Sequence, residues 1–285
     1  MSRSISQVML DATRMLNDAG VPNARREAGS LLAFVLGKDR TFIISHAEEQ
    51  LSDDAFDRFR TSVERRAAGE PLQYITGVQD FFGREFHVTP DVLIPRPETE
   101  LLVEAAIELV ADNSAPFICD IGTGSGCIAI TLVGEMPQAR AVAVDTSRVA
   151  LEIAKSNALK HSVSERVIFA VSDCFAALNA NEYQFDLVVS NPPYVSQAMM
   201  SGLQREVRDH EPLVALTAGA DGLTIIRRLL HEAPAFLRKN GHLIMEIGFD
   251  QGDAVKRLVD EDVWLFCDIR PDLQGIPRIV VLRKR

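Results

Sequence analysis

Apolar residues recur along this chain with two different periods, and the change between them divides it. Early on the period is helical. Ile5, Val8, Met9, Ala12, Met15, Leu16 and Ala19 fall on one face, and Gly20 ends the run. A second helix fits Ala24 to Leu36, between Asn23 as N-cap and Gly37 as C-cap. Ser52 caps a third, running to about Ala68, whose alternating charges from Asp53 to Arg66 read as a solvated face. Residues 1–70 are therefore expected to form a helical bundle. By analogy with other two-part enzymes it is expected to dock a substrate.

Gly69-Glu70-Pro71 breaks the helical pattern, and short runs with turn glycines follow. Leu72 to Gly77 and Val78 to Val88 read as strands, making residues 71–97 a β-hairpin linker. Its His87 alternates with apolar neighbours and reads as structural. In Ile94-Pro95-Arg96-Pro97-Glu98-Thr99-Glu100, a proline precedes two carboxylates in a first turn, which suits a helix running to about Asp112. Arg96 is held between two prolines. It is expected either to make a fixed contact, with the substrate or with the loop after Tyr194, or to belong to an ordinary capping segment.

From residue 98 onward the pattern alternates between short apolar runs and amphipathic stretches. Pro116 to Asp120, Ala139 to Val144, Val167 to Val171 and Phe185 to Ser190 read as buried strands. Ser125 to Glu135 and Ser147 to His161 read as helices between them. Strands at His242 to Ile247, Val263 to Ile269 and Ile279 to Leu282 complete the series, with helices at Leu223 to Leu237 and Gln251 to Asp260. This is an α/β fold with a seven-stranded, Rossmann-like sheet whose last strand is antiparallel. Residues 195–220 lack clear periodicity and read as a lid, with His210 structural or substrate-facing. Trp264 reads as core.

Composition narrows the class. Of 285 residues 47% are apolar, enough for a substantial core. No apolar run of membrane-spanning length occurs, and Met1-Ser2-Arg3-Ser4 carries no apolar signal core, so a cytoplasmic protein is expected. Cys119, Cys127, Cys174 and Cys267 sit in or beside apolar runs, form no Cys-x-x-Cys pair and read as buried reduced thiols, with no metal expected. A net charge of −10 argues against a broad footprint on nucleic acid.

The chemistry concentrates where strands end. Gly122-Thr123-Gly124-Ser125-Gly126 lies between a strand and a helix, where glycines let backbone approach a ligand. The dinucleotide fingerprint needs G-x-G-x-x-G, but residue 127 is Cys, so the spacing favours a cofactor without a pyrophosphate, S-adenosylmethionine. Asp120 is placed to engage its amino-acid moiety. Asp145, about 20 positions past the loop, is placed to accept hydrogen bonds from ribose hydroxyls. Asp173 is placed to accept from an adenine amino group, with Cys174 or Phe175 flanking the ring. Asn191-Pro192-Pro193-Tyr194 ends the fourth strand, since neither proline donates a backbone hydrogen bond. The Asn191 side-chain oxygen and the Pro192 carbonyl suit two N–H groups of a planar amide or exocyclic amine. Held that way, the nitrogen lone pair faces an electrophile, and Tyr194 stacks on the planar group.

The glycine loop, Asp145 and the Asn-Pro-Pro-Tyr tetrapeptide together resemble class I S-adenosylmethionine-dependent methyltransferases that modify amino nitrogens. Gly69 to Gly77, Ile94 to Glu100, and Glu211-Pro212-Leu213 through Asp221-Gly222-Leu223 narrow the resemblance to the release factor glutamine methyltransferases, the PrmC/HemK family. It covers nearly the whole chain. It implies methylation of the side-chain amide nitrogen (N5) of glutamine in the Gly-Gly-Gln loop of class I peptide chain release factors. It further implies that Gly122 to Gly126 and Asp145 hold the cofactor. Asn191 would then touch cofactor and substrate, while Pro192, Pro193 and Tyr194 form the glutamine pocket. Cys174 stands where such enzymes often carry an aromatic residue over adenine, and Leu93 stands where some members carry an aromatic. The alternatives are a glutamine methyltransferase acting on a ribosomal protein, an adenine-N6 nucleic-acid methyltransferase acting on a flipped base, and a non-catalytic binding module. A dehydrogenase is disfavoured by the glycine spacing.

Overall fold

The computed structural model describes residues 3–285; Met1 and Ser2, the start of the polar N-terminus, lie outside the described residues. The first elements are helical. They are α1 (Ile5–Asp18), α2 (Ala24–Leu36), α3 (Arg40–Ser45), α4 (Asp53–Ala67) and α5 (Leu72–Thr76). Ser4 caps α1 by accepting from the Gln7 N–H, and Ser52 caps α4 by accepting from the Ala55 N–H. Asn23 makes no such bond; it adopts a left-handed conformation with φ 56°. Leu16, Ala28, Leu31, Leu32, Phe59 and Val63 bury the shared face.

The strand expected over Leu72–Gly77 is instead α5. Pro71 starts it with a fixed φ, and Gly77 ends it in the left-handed region, φ 77°. Packing overrides the aromatic and β-branched content of these residues, since Tyr74 and Ile75 are buried. The hairpin that follows is shorter than expected: β1 (Val78–Phe81) and β2 (Arg84–His87).

Next come α6 (Glu100–Leu109), β3 (Phe117–Ile121), α7 (Cys127–Glu135), β4 (Arg140–Asp145), α8 (Arg148–Lys160), β5 (Val167–Val171) and β6 (Phe185–Ser190). Helix α7 starts two residues later than the pattern predicts, because Gly126 at φ 82° belongs to the turn. The rest is α9 (Arg205–His210), α10 (Leu213–Leu216), α11 (Thr224–Phe236), β7 (Leu237–Glu246), α12 (Gly252–Leu258), β8 (Trp264–Pro271) and β9 (Pro277–Lys284).

Seven strands form one sheet in the order β5-β4-β3-β6-β7-β9-β8. Strand β9 inserts between β7 and β8 and runs antiparallel to both, whereas the other pairs are parallel. Successive side chains on a strand point to opposite faces, so each strand serves two cores. Ile118, Ala141, Leu187 and Ile244 join α6 and α7 on one face. Cys119, Val142, Val188 and Leu243 join α11 and Trp264 on the other. Strand order reverses direction between β3 and β6, and the carboxyl ends there are where ligands bind in open α/β sheets.

The chain divides into two units, and not in sequence order. The first holds the chain through Val78 together with residues 204–210; the second holds 79–203 and 211–285. The expected linker at 71–97 therefore splits, α5 going with the bundle and the hairpin, apart from Val78, with the sheet. In the first unit Arg66, 3% exposed, donates to Glu27 and Glu206 and to the Glu70 carbonyl. That draws α9, from far along the chain, into the bundle.

Candidate methyl-transfer site

The glycine loop is tied down by backbone before any side chain is considered. The N–H groups of Gly122 and Thr123 both donate to the Val144 carbonyl, at 2.9 Å each. Gly124 donates to Asp145 Oδ2 at 2.9 Å, and Ser147 donates to Asp145 Oδ1 at 2.8 Å. One carboxylate at the end of β4 thus fixes the loop and the start of α8, with lone pairs left over. A Cβ built on Gly122 or Gly124 would meet nothing within 4 Å. Both glycines sit at positive φ and line a cavity. The loop is held open to that cavity rather than packed shut.

Asp120, behind the loop, is fully buried. Its Oδ2 accepts from the Thr123 hydroxyl at 2.7 Å and the Ala129 N–H at 3.2 Å, and its Oδ1 has no partner among the described residues. Burial pushes its carboxyl up to about 7, against the pull of those two bonds and with help from nearby Asp145. Asn157, wholly buried on α8, donates to the Ser125 and His87 carbonyls and accepts from the His87 N–H. Its side chain therefore clamps β2 to the loop, a role that its place in a helical pattern does not advertise.

The cavity is lined by Leu93, Gly122, Gly124, Asp145, Ser172, Asp173, Cys174 and Asn191 to Pro193, and by Pro212, Val214 and Ala215 from the α10 region. Cys174 reaches it at φ 49°, its thiol raised to about 11 by burial. Phe175 does not line it. That ring is buried and stacks on Phe236, centroids 4.6 Å apart. Asp173 lies at the rim with a side chain 62% exposed. Its carboxylate accepts from Arg228 at 2.6 Å, a partner the sequence pattern gave no reason to expect.

At the end of β6, Asn191 Nδ2 donates to the Thr99 hydroxyl at 3.0 Å, and that hydroxyl donates to Glu246 Oε2 at 2.6 Å. Pro192 and Pro193 line the cavity. The Pro192 carbonyl takes part in no hydrogen bond with the described residues. Tyr194 is not among the lining residues. Its hydroxyl, pushed up by burial, keeps its proton and donates to Glu246 Oε1 at 3.3 Å, and its carbonyl accepts from Gln251 Nε2 at 3.0 Å. So Tyr194 anchors the tetrapeptide in the fold. A Cβ on Gly222 would fall 2.2 Å from the Tyr194 carbonyl oxygen, which explains the glycine there.

Arg96 belongs to the scaffold too. It donates to Glu211 at 2.5 Å, and Glu211, 5% exposed, also accepts from the Ile94 N–H at 3.4 Å. This is the expected contact with the segment after Tyr194. That segment is also less loose than its missing periodicity implies. Val195 pairs with Thr217, and Pro212, Val214 and Ala215 close one side of the cavity. His210, on α9, is not among the lining residues.

The residues present fit S-adenosylmethionine. The open cradle at Gly122 and Gly124 admits backbone contact, Asp145 keeps free lone pairs, and the buried Asp120 Oδ1 still lacks a cationic or N–H partner.

The chain matches the family described as PrmC N-terminal domain over residues 7–77, and Methyltransferase small domain over 98–207. It is 43% identical over 281 residues to a protein named release factor glutamine methyltransferase from Koribacter versatilis, covering 99% of each chain. It is 42% identical to a protein of the same name from Cereibacter sphaeroides, covering 95% of each. Among solved structures, the hMettl16 catalytic domain in complex with MAT2A 3′UTR hairpin 6 aligns with a TM-score of 0.58 at 17% identity, over 78% of this chain and 81% of that one. That likeness concerns the fold. The fold is that of class I S-adenosylmethionine-dependent methyltransferases.

Proposed function

The chain belongs to the release factor glutamine methyltransferase family, and on that premise we propose that it methylates N5 of the glutamine in the Gly-Gly-Gln loop of class I release factors, in the cytoplasm. S-adenosylmethionine is the methyl donor and supplies a methyl group on a positively charged sulfur. No helix among the described residues is long and apolar enough to cross a membrane.

The observation that carries this reading is the meeting of Asn191 and Pro192 with Gly122, Gly124 and Asp145 around one cavity. An amide nitrogen is nearly neutral and a poor nucleophile. The Asn191 side-chain oxygen and the Pro192 carbonyl accept its two N–H groups and turn its lone pair toward the methyl carbon. They would also stabilise the positive charge that grows on nitrogen as the new N–C bond forms and the methyl–sulfur bond breaks, its electron pair returning to sulfur so that the neutral thioether S-adenosylhomocysteine leaves. Once methylated, that nitrogen is acidic enough to release its extra proton to water, so no strong base is needed. Leu93, Pro193 and Val214 supply apolar walls for the methylenes of the glutamine. Of the loop Gly122 to Gly126, Gly122 and Gly124 face the cavity and with Asp145 hold the donor, while Gly126 packs behind it; Cys174 lies against the donor's base, with a smaller stacking surface than an aromatic ring provides.

The test is mass spectrometry of an unmodified release factor incubated with this protein and S-adenosylmethionine. A gain of one methyl mass on the Gly-Gly-Gln peptide, localised to Gln, is expected. No gain there, with the donor still bound, overturns the substrate assignment and moves the search to a ribosomal protein or nucleic acid.

A further inference from the structure

Hydrogen-bond chemistry decides which way the Asn191 amide faces. A carboxylate is acceptor-only, and a hydroxyl has one proton to give. Glu246 is 1% exposed, at the end of β7 beside β6. It accepts from Thr99 on one oxygen and from Tyr194 on the other. The 2.6 Å bond to Glu246 uses the only proton on the Thr99 hydroxyl. Toward Asn191 that oxygen then has only lone pairs, and it must meet the NH₂ group. The amide oxygen is left for the cavity, which Asn191 lines.

The opposite orientation would be inert. With NH₂ toward the cavity, Asn191 would confront the substrate N–H it should accept with donors of its own. Nothing in an isolated asparagine prevents that, since its two ends are nearly the same size and shape.

We propose that Thr99 and Glu246 are positioning residues, a carboxylate–hydroxyl relay that holds the Asn191 amide oxygen toward the nucleophile. The inference rests on the amide-orienting role given to Asn191 above. Neither residue touches the reacting atoms. Glu246 acts through Thr99, and Thr99 through Asn191. Burial raises the Glu246 carboxyl, but the bonds from Thr99 and Tyr194 and the nearby Arg278 guanidinium oppose that rise. The relay also explains two otherwise unrelated polar residues, a buried threonine just ahead of α6 and a lone carboxylate in the apolar run from Leu243 to Ile247.

Thr99→Val keeps the shape and removes the hydroxyl. Methyl transfer to the release factor is expected to fall about 10- to 100-fold in kcat, with the dissociation constant for S-adenosylmethionine changed less than about twofold. Thr99→Ser restores the hydroxyl and is expected to stay within about threefold of the parent. Glu246→Gln is expected to resemble Thr99→Val, because the amide can donate to Thr99 and release its proton toward Asn191. In an Asn191→Ala background Thr99→Val is expected to cost nothing further, a non-additivity that general loosening of the fold would not produce. Full kcat in Thr99→Val, or additivity with Asn191→Ala, overturns the relay. A second readout is independent of the substrate. The Asn191 side-chain NH₂ signals, assigned by their loss in Asn191→Ala, are expected to exchange slowly with water in the parent and Thr99→Ser and quickly in Thr99→Val. Unchanged exchange in Thr99→Val overturns the relay even if the release factor proves not to be the substrate. Slow exchange with an inactive parent overturns only the substrate.

Discussion

Gly122 and Gly126 stand four residues apart in one loop, both at positive φ, and alanine at each should fail differently. At Gly126, φ 82°, the new methyl would lie 2.7 Å from Ile130 Cδ1, 3.1 Å from Ala154 Cβ and 3.3 Å from Ala154 Cα. The Ile130 side chain can rotate away, but Ala154 is part of α8. A non-glycine residue in the left-handed region costs about 1–2 kcal/mol, and forcing a methyl into a packed contact costs about 1–3 kcal/mol. Together Gly126→Ala should lose about 3 kcal/mol. At Gly122, φ 75°, the methyl meets nothing within 4 Å, so only the backbone cost of about 1 kcal/mol remains. That methyl projects into the cavity, and donor affinity should fall about tenfold or more. Trp264, the only tryptophan, is buried on β8 and donates to the Leu230 carbonyl, so its fluorescence reports the sheet unit alone. With a urea slope near the upper end of about 3 kcal/mol/M, Gly126→Ala should lower the midpoint by about 1 M and Gly122→Ala by about a third of that. Calorimetric titration with S-adenosylmethionine supplies the second axis. Equal losses of stability in the two variants, or parental donor affinity in Gly122→Ala, would refute the reasoning.

Asp145→Ala removes the acceptor for the Gly124 and Ser147 N–H groups and should weaken donor binding by about 1–3 kcal/mol, read by the same titration; unaltered affinity sinks the ribose assignment. For Asp120 the sign is unusual. Below about pH 4 the folded and unfolded forms are both protonated; between there and about 7 only the folded carboxyl keeps its proton, so its contribution to stability falls as pH rises, by up to about 4 kcal/mol, and then levels off. The stability of Asp120→Asn relative to the parent should therefore climb from pH 5 to 8 in urea titrations, and a flat difference would contradict the raised pKa. Arg66→Leu leaves Glu27 and Glu206 without their buried partner and should destabilise the first unit by about 3 kcal/mol. Faster amide exchange in α2 and α4 should reveal it, and parental exchange rates would count against the pair.

The elements that could be read from the chain are those whose physics is local. Strands β3 to β6 alternate faces between two apolar cores, so their runs of Val, Ile and Ala announce themselves. The glycine loop and the proline pair carry backbone constraints that no partner is needed to see. What stayed hidden depends on distant partners. Thr99 and Glu246 lie 147 residues apart, and each alone reads as a capping residue or a stray charge. Asn157 sits in an ordinary helical pattern while bonding 70 residues away. Arg96 was legible as a rigid side chain, but Glu211, its partner, lies 115 residues on. The helices α9 and α10, 6 and 4 residues long, are too short to show a period at all.

The placement of α9 in the first unit also sets an order of events on the ribosome. Arg66 is synthesised 140 residues before Glu206. While the strands from β3 to β6 emerge, the bundle at the N-terminus has a buried arginine short of one of its two carboxylates. It can gain its final stability only after the tetrapeptide at Asn191 has been translated and the chain has run on through His210. The nascent bundle is therefore a waiting template, and the strap that follows the tetrapeptide is captured by a partner made long before it. Deleting residues 204–210 should leave both units translatable but the first permanently immature, a defect that would surface as susceptibility to proteases in a region the deletion never touched.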